Sequence, residues 1–148
     1  MIQIKQCSLD DVIKQPNFNS LVSEYREESG MSDLPSPSFN ASYKLMEQSG
    51  FMHPICSFND NKITGFLNLL VNIIPHYGVP IATTESFFVS KKHRKGGTGL
   101  KLLNYAENLA KRLGASACLI SAPYGSRLDK VLARSSYNRS NVVYSKKL

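Results

Sequence analysis

Apolar and polar positions along the chain change their period several times, and each change marks an element. Ile2-Gln3-Ile4-Lys5-Gln6-Cys7 alternates with period two, as a strand with one buried face does. Ser8-Leu9-Asp10-Asp11 then predicts a helix start, with a serine cap and acids at the positive end of the helix dipole. Residues 21–28 and 41–48 space their apolar side chains as short amphipathic helices do. Between them Ser32-Asp33-Leu34-Pro35-Ser36-Pro37-Ser38 is kept irregular by its prolines and serines. Residues 51–58, the turn Asn59-Asp60-Asn61 and residues 62–74 predict a hairpin, and residues 80–89 a third strand of the same meander. A helical period returns at Leu100, Leu103, Ala106, Leu109, Ala110 and Leu113, with Gly114 placed to end the helix. Residues 117–120 read as a strand, 127–134 as a helix, and 141–144 with 146–148 as a last strand.

Length and composition fit this picture. A chain of 148 residues predicts one domain, residues 1–148, able to bury roughly two-thirds of its unfolded surface. No repeat or low-complexity tract interrupts it. The apolar run at 63–74 is too short to span a bilayer, and the chain begins on a strand pattern, which predicts no signal peptide. Cys7, Cys56 and Cys118 are odd in number and sit in apolar runs, so free thiols of a cytoplasmic protein are expected. No Cys/His spacing suits a metal.

The segment from Thr83 to Leu103 carries the chemistry. Thr83-Thr84-Glu85-Ser86-Phe87-Phe88-Val89 is a β-branched and aromatic strand; Arg94-Lys95-Gly96-Gly97-Thr98-Gly99 is a basic glycine turn; a helix follows. Strand, glycine turn and helix N-terminus form a cradle for phosphate oxygens, because glycines let backbone N–H groups face an anion and the helix dipole favours negative charge. The Walker pattern is absent, since Leu100 and not glycine precedes Lys101. The dinucleotide pattern fails at Leu102, and no acid closes the next strand, which runs into Ser121-Ala122-Pro123.

What the turn does match is Arg/Gln-x-x-Gly-x-Gly/Ala, as Arg94-x-x-Gly97-x-Gly99, and this resembles the coenzyme A loop of the GNAT acyltransferase superfamily. The order of elements is similar over nearly the whole chain. The wording of the Glu85-Ser86-Phe87-Phe88-Val89 strand is most similar to small members carried by bacteriophages. The resemblance implies an α/β (α+β) fold, a mixed central sheet of about six or seven strands flanked by about four helices. It implies acetyl-CoA as cosubstrate and direct attack of an acceptor amine on the thioester. Arg94, Lys95, Gly96, Gly97, Thr98 and Gly99 would hold the pyrophosphate, and the backbone of Phe88 and Val89 would pair with pantetheine and stabilise the oxyanion.

A general base must take a proton from the acceptor ammonium. Glu85, the only acid between Asp60 and Glu107, is the candidate; against this stands a carboxylate on the wet face of the sheet, or one paired to Tyr25, Tyr43 or Ser86. The general acid is harder to assign. Aligned on Ser136-Tyr137, the family's tyrosine position holds Leu132 and its asparagine position Gly125, which leaves Tyr124 as the nearest substitute. His93 adjoins the loop, and His76 and Tyr77 lie where the acceptor pocket would be bordered.

Charge is divided along the chain. Residues 1–90 hold 5 Lys and Arg against 9 Asp and Glu; residues 91–148 hold 13 against 2. An anionic donor on the basic side and a cationic acceptor on the acidic side would produce this split. The expected partners are therefore an amine acceptor, either a small molecule or a protein lysine or N-terminus, and a second copy of the chain in a homodimer. No membrane partner is expected. The basic run Lys91-Lys92-His93-Arg94-Lys95 keeps a nucleic-acid-binding module as one alternative, although no aromatic residues interleave it. A catalytically weak domain that binds coenzyme A or a macromolecule is the other. The expected location is the cytoplasm, that of the host if a phage encodes the chain.

Overall fold

A computed structural model describes residues 1–148. Its strands are β1 Gln3–Gln6, β2 Met52–Asn59, β3 Lys62–Ile74, β4 Val79–Val89 and β5 Cys118–Leu119, and its helices are α1 Leu9–Ile13, α2 Phe18–Glu28, α3 Ala41–Gln48, α4 Thr98–Arg112 and α5 Arg127–Ala133. One sheet runs in the order β1-β2-β3-β4-β5, antiparallel up to β4, with β5 added parallel. The mixed sheet flanked by helices is the expected class.

Local chemistry sets these elements. Ser8 caps α1, its hydroxyl oxygen accepting the Asp11 N–H. Asn59 faces Lys62 across a two-residue turn in which Asp60 (φ 49°) and Asn61 (φ 61°) are both left-handed, the twist that suits a tight hairpin. The long β3 is buried from Ile63 to Leu69 and exposed near its end. Gly114, with φ 81°, follows the end of α4 as expected.

Two apolar layers sandwich the sheet. On one face Leu102, Leu103, Ala106, Leu109 and Ala110 of α4 pack on Ile55, Leu67, Leu69, Ala82 and Val89. On the other, Val12 of α1 and Leu21 and Val22 of α2 pack with Phe58, Phe66 and Phe88. The α4 stripe is the predicted one at Leu103, Ala106, Leu109 and Ala110, but its ends differ, since Leu100 and Leu113 are exposed and Leu102 is fully buried.

The strand count is five and not six or seven. The predicted terminal strand does not form: residues 138–148 adopt no regular structure. Val142, Val143 and Tyr144 have strand-forming side chains, yet β5, the edge strand, is only two residues long and too short to pair with them. Strand propensity without a ladder or a packing surface does not make a strand. No helix is long and apolar enough to cross a membrane.

Candidate functional site

The site is built around an irregularity in β4. Asn68 of β3 pairs with Ser86, and the next residue, Leu69, pairs with Thr84. Glu85 therefore has no residue opposite it and is the extra residue of a β-bulge, a device that re-aims a side chain. Ser86 accepts a hydrogen bond from Asn68 Nδ2 at 2.8 Å, both residues being buried. Glu85 is exposed, and the Tyr43 hydroxyl of α3 donates to it at 2.8 Å from each carboxylate oxygen. Of the three hydroxyls the sequence offered as partners, Tyr43 is the one used. Burial, and then the bond to Glu85, raise the Tyr43 pKa; burial, and then the charge of Glu85, raise that of Tyr25 on α2. Both phenols stay protonated across the neutral range.

The sheet opens at the same point. β5 pairs with β4 only at Ala82 and Thr83. Beyond that pair, the Ser121 N–H reaches the Thr84 side-chain hydroxyl at 3.2 Å instead of the strand backbone. The β5-facing edge of residues 85–89, including Phe88 and Val89, thus has no strand partner. The Phe87 and Val89 side chains pack on the α4 layer and Phe88 on the α2 layer, so what this edge offers is backbone.

A 3-10 turn, Lys91–His93, leads to the glycines. Gly96 (φ 99°) and Gly97 (φ 77°) are both left-handed. A Cβ at either position would meet nothing within 4 Å, so it is the backbone conformation and not lack of space that calls for glycine. Gly97 caps α4 without a side-chain bond, and the first backbone bond into the helix is Lys101 N–H to Gly97 O. The N–H groups from Lys95 to Leu100 donate to nothing in the chain. Left-handed glycines and an uncapped helix start leave these donors without a partner, an arrangement suited to an anion such as a pyrophosphate.

The charges around this cradle differ from the sequence reading. Arg94 does not stand free beside the loop. Its Nε–H donates to Val89 O at 2.8 Å, its guanidinium pairs with Glu28 of α2, and it lies 5.4 Å from the Phe88 ring centre. Lys91 Nζ is 3.2 Å from the other Glu28 oxygen. The unpaired cations at the loop are the exposed Lys92 and Lys95. Arg94 and Lys91 hold the Glu28 carboxyl below the usual carboxylate range, the contact with Arg94 being the larger cause. Part of the charge split is therefore internal, with acids of the first half gripping cations of the second. Neither Glu24 nor Glu28 stands out in the sequence, where the one available signal is their four-residue spacing on one stripe of a helix.

On the far side of β5, Tyr124 is 99% exposed and makes no hydrogen bond, so nothing in the fold aims its hydroxyl. Gly125 (φ 72°) donates its N–H to Asp129 Oδ2 in the turn that starts α5, and Leu132 packs against the α4 layer. Neither position holds an acid. Tyr137 donates to Glu107 Oε1 at 2.8 Å, which pins the C-terminal segment to α4. His76 packs edge-on against Tyr77 in the β3–β4 turn, and His93 lies in the 3-10 turn. A hollow of about 410 Å³ bounded by Gln6, Ser8, Glu47 and His53 lies at the β1 edge and involves none of these groups.

A family model described as Acetyltransferase (GNAT) family matches residues 17–125. No curated protein matches the chain. Among solved structures, a ribosomal-protein-alanine N-acetyltransferase from Brucella melitensis biovar Abortus 2308 superposes with a TM-score of 0.77 at 16% identity, over 99% of each chain. An aminoglycoside acetyltransferase from an uncultured soil metagenomic sample, in complex with trehalose, gives 0.76 at 19% identity, over 99% of this chain and 96% of that one. Glucosamine-6-phosphate N-acetyltransferase from Arabidopsis thaliana gives 0.70 at 11% identity, over 98% of each.

Proposed function

The chain belongs to the Acetyltransferase (GNAT) family, and from that premise we propose that it moves an acetyl group from acetyl-CoA to a primary amine by direct attack. One observation carries the reading. The bulged Glu85, the unpaired edge of residues 85–89 and the free N–H groups of residues 95–100 follow one another along a single stretch of chain. They supply, in order, a base, a backbone edge for an amide-bearing arm and a cradle for a pyrophosphate.

The roles follow from the chemistry of each group. Lys95, Gly96, Gly97, Thr98 and Gly99 hold the pyrophosphate through backbone N–H groups, with Lys92 and Lys95 adding charge. The backbone of Phe88 and Val89 pairs with the pantetheine amides and donates to the carbonyl oxygen as it gains negative charge. Glu85, held by Tyr43, accepts a proton from the acceptor ammonium, directly or through water, because only the neutral amine is nucleophilic. The amine nitrogen forms its bond to the carbonyl carbon and loses its second proton to water, the carbon–sulfur bond breaks, and the thiolate leaves. A free thiol has a pKa of about 8.5, so water can protonate this leaving group without an acid from the protein. The exposed Tyr124 fits that account, and Tyr124→Phe is expected to change turnover less than threefold.

A second reading has its own observation. Leu132 is a packing residue and Gly125 a turn residue, and a domain without an acid at either position suits weak catalysis or binding alone. The acceptor is open between a small-molecule amine and a protein amine, and both kinds occur among the named neighbours. The free thiols Cys7, Cys56 and Cys118 suit a reducing compartment, and we assign the protein to the cytoplasm. Calorimetry with acetyl-CoA, followed by thiol-release assays over amines, aminoglycosides and peptides, tests the reading. Tight binding with no release from any acceptor would favour the binder; no binding of acetyl-CoA would end both.

A further inference from the structure

Two carboxylates of α2 hold the segment that leads into the glycine loop, across 66 and 67 residues of sequence. Glu24 Oε1 accepts the N–H of Lys91, the first residue of the 3-10 turn, at 2.7 Å. Ser90, at the cap position, makes no side-chain bond there, so Glu24 satisfies a donor the turn leaves open. One helical turn later, Glu28 divides its two oxygens between Lys91 Nζ and Arg94. Arg94 is also tied back to Val89 O and lies over Phe88. Both ends of the segment 91–94 are thereby fixed to α2 and to the end of β4. The free N–H groups begin at the next residue.

This arrangement does not serve phosphate affinity through charge, because each cation that Glu28 neutralises is one fewer facing the anion. Nor is it much of a stability device, since exposed ion pairs contribute little net stability. What it fixes is direction. An Arg fork held at two points leaves the following glycines a defined starting position.

We propose that Glu28 is a positioning residue for the donor: through Arg94 and Lys91 it presets the loop so that the N–H groups of residues 95–100 converge before acetyl-CoA arrives. The proposal rests on the acetyltransferase reading above. The opposite role would be competition, with Glu28 withholding Arg94 from the phosphate.

The two roles predict opposite results for Glu28→Ala. Under positioning, amide hydrogen exchange of the bonded Lys91, His93, Arg94 and Lys101 N–H groups in the free protein speeds up about tenfold, while the interior of α4 keeps its wild-type protection. The KM for acetyl-CoA then rises about tenfold and kcat changes less than twofold. The charge swap Glu28→Arg with Arg94→Glu recovers part of that loss, whereas Arg94→Glu alone does not. Unchanged exchange, or binding as tight as or tighter than wild type, would overturn the positioning role. Failure of the wild-type protein to bind acetyl-CoA would instead sink the acetyltransferase reading and the donor half of this proposal with it.

Discussion

The Tyr43 hydroxyl lies 2.8 Å from each carboxylate oxygen of Glu85, so one proton is shared between two acceptors. The tyrosine ring stacks on Phe39 at 4.8 Å between centroids, and Phe39 packs edge-on against Phe66 of the core. The orientation of an exposed carboxylate is in this way referred back to the buried sheet.

Glu85→Gln should lower turnover by about 10²-fold or more near neutral pH, the usual size of a general-base contribution. Part of the loss should return at high pH, where the amine is already neutral. Affinity for acetyl-CoA should stay within about twofold. Thiol-release kinetics across pH, with calorimetry alongside, measure all three. Wild-type turnover at pH 7 would make Glu85 a structural residue only.

Tyr43→Phe keeps the ring that packs on Phe39 and removes the hydroxyl that holds Glu85. Because the base is displaced and not deleted, kcat should fall on the order of tenfold, less than in Glu85→Gln. The KM for acetyl-CoA should not move. A loss equal to that of Glu85→Gln would mean that the phenol itself takes part in the chemistry.

At Gly97 any side chain must adopt φ near 77° or move the start of α4. The left-handed conformation costs about 1–2 kcal/mol for an ordinary residue and more for a β-branched one. Gly97→Val should therefore weaken acetyl-CoA binding more than Gly97→Ala, with tenfold as the expected minimum for Val. Calorimetric titration of both variants checks the order; equal affinities would show that this loop conformation is not what binds the donor.

Gly65 gives a control for stability. An added Cβ would sit 2.7 Å from Phe88 O and 3.1 Å from Val89 Cα, and both are backbone atoms that cannot rotate away. Gly65→Ala should cost about 1–3 kcal/mol, as over-packing does, and a shift in urea midpoint at constant slope would register it. A variant as stable as wild type would mean that the end of β4 yields freely.

Stability should fall at both ends of the pH scale. Burial, and then hydrogen bonds to Glu85 and Glu107, raise the pKa of Tyr43 and Tyr137 in the folded state. Groups with raised pKa contribute fully below the ordinary tyrosine value of about 10, and that contribution is lost as pH rises past it. Glu28 is shifted the other way, so its contribution is present above the ordinary carboxylate range and lost as pH falls through it. The acid limb should be shallow, because Glu28 is largely solvated. Denaturant midpoints from acid to alkali test this, and Tyr137→Phe should flatten the alkaline limb.

Elements with strong local signals were readable from the sequence. β3 Lys62–Ile74 and α3 Ala41–Gln48 begin and end where periodicity put them, and the Asp60-Asn61 turn lies where its residue types placed it. The missing last strand shows the limit, because Val142, Val143 and Tyr144 have the right side chains and nothing to pair with. The site divides in the same way. Glu85 stands out as a lone acid in an apolar strand, and the glycine loop announces its backbone. Glu28 gave no such signal: its partner Arg94 is 66 residues away, and only the packing of α2 on Phe66 and Phe88 brings them together.

The bulge at Glu85 bears on how such a protein evolves. The residue faces no partner across the ladder, so the pairing of β3 with β4 does not depend on its side chain. Replacing it leaves every paired residue where it was. Deleting it would close the bulge into a regular ladder, with Asn68 still opposite Ser86 and Leu67 still opposite Phe87, and would remove only the re-aimed side chain. Selection on folding alone therefore demands neither the extra residue nor its carboxylate, and what the bulge serves is the site. A lineage can give up the carboxylate, or later regain one, without rebuilding the domain around it.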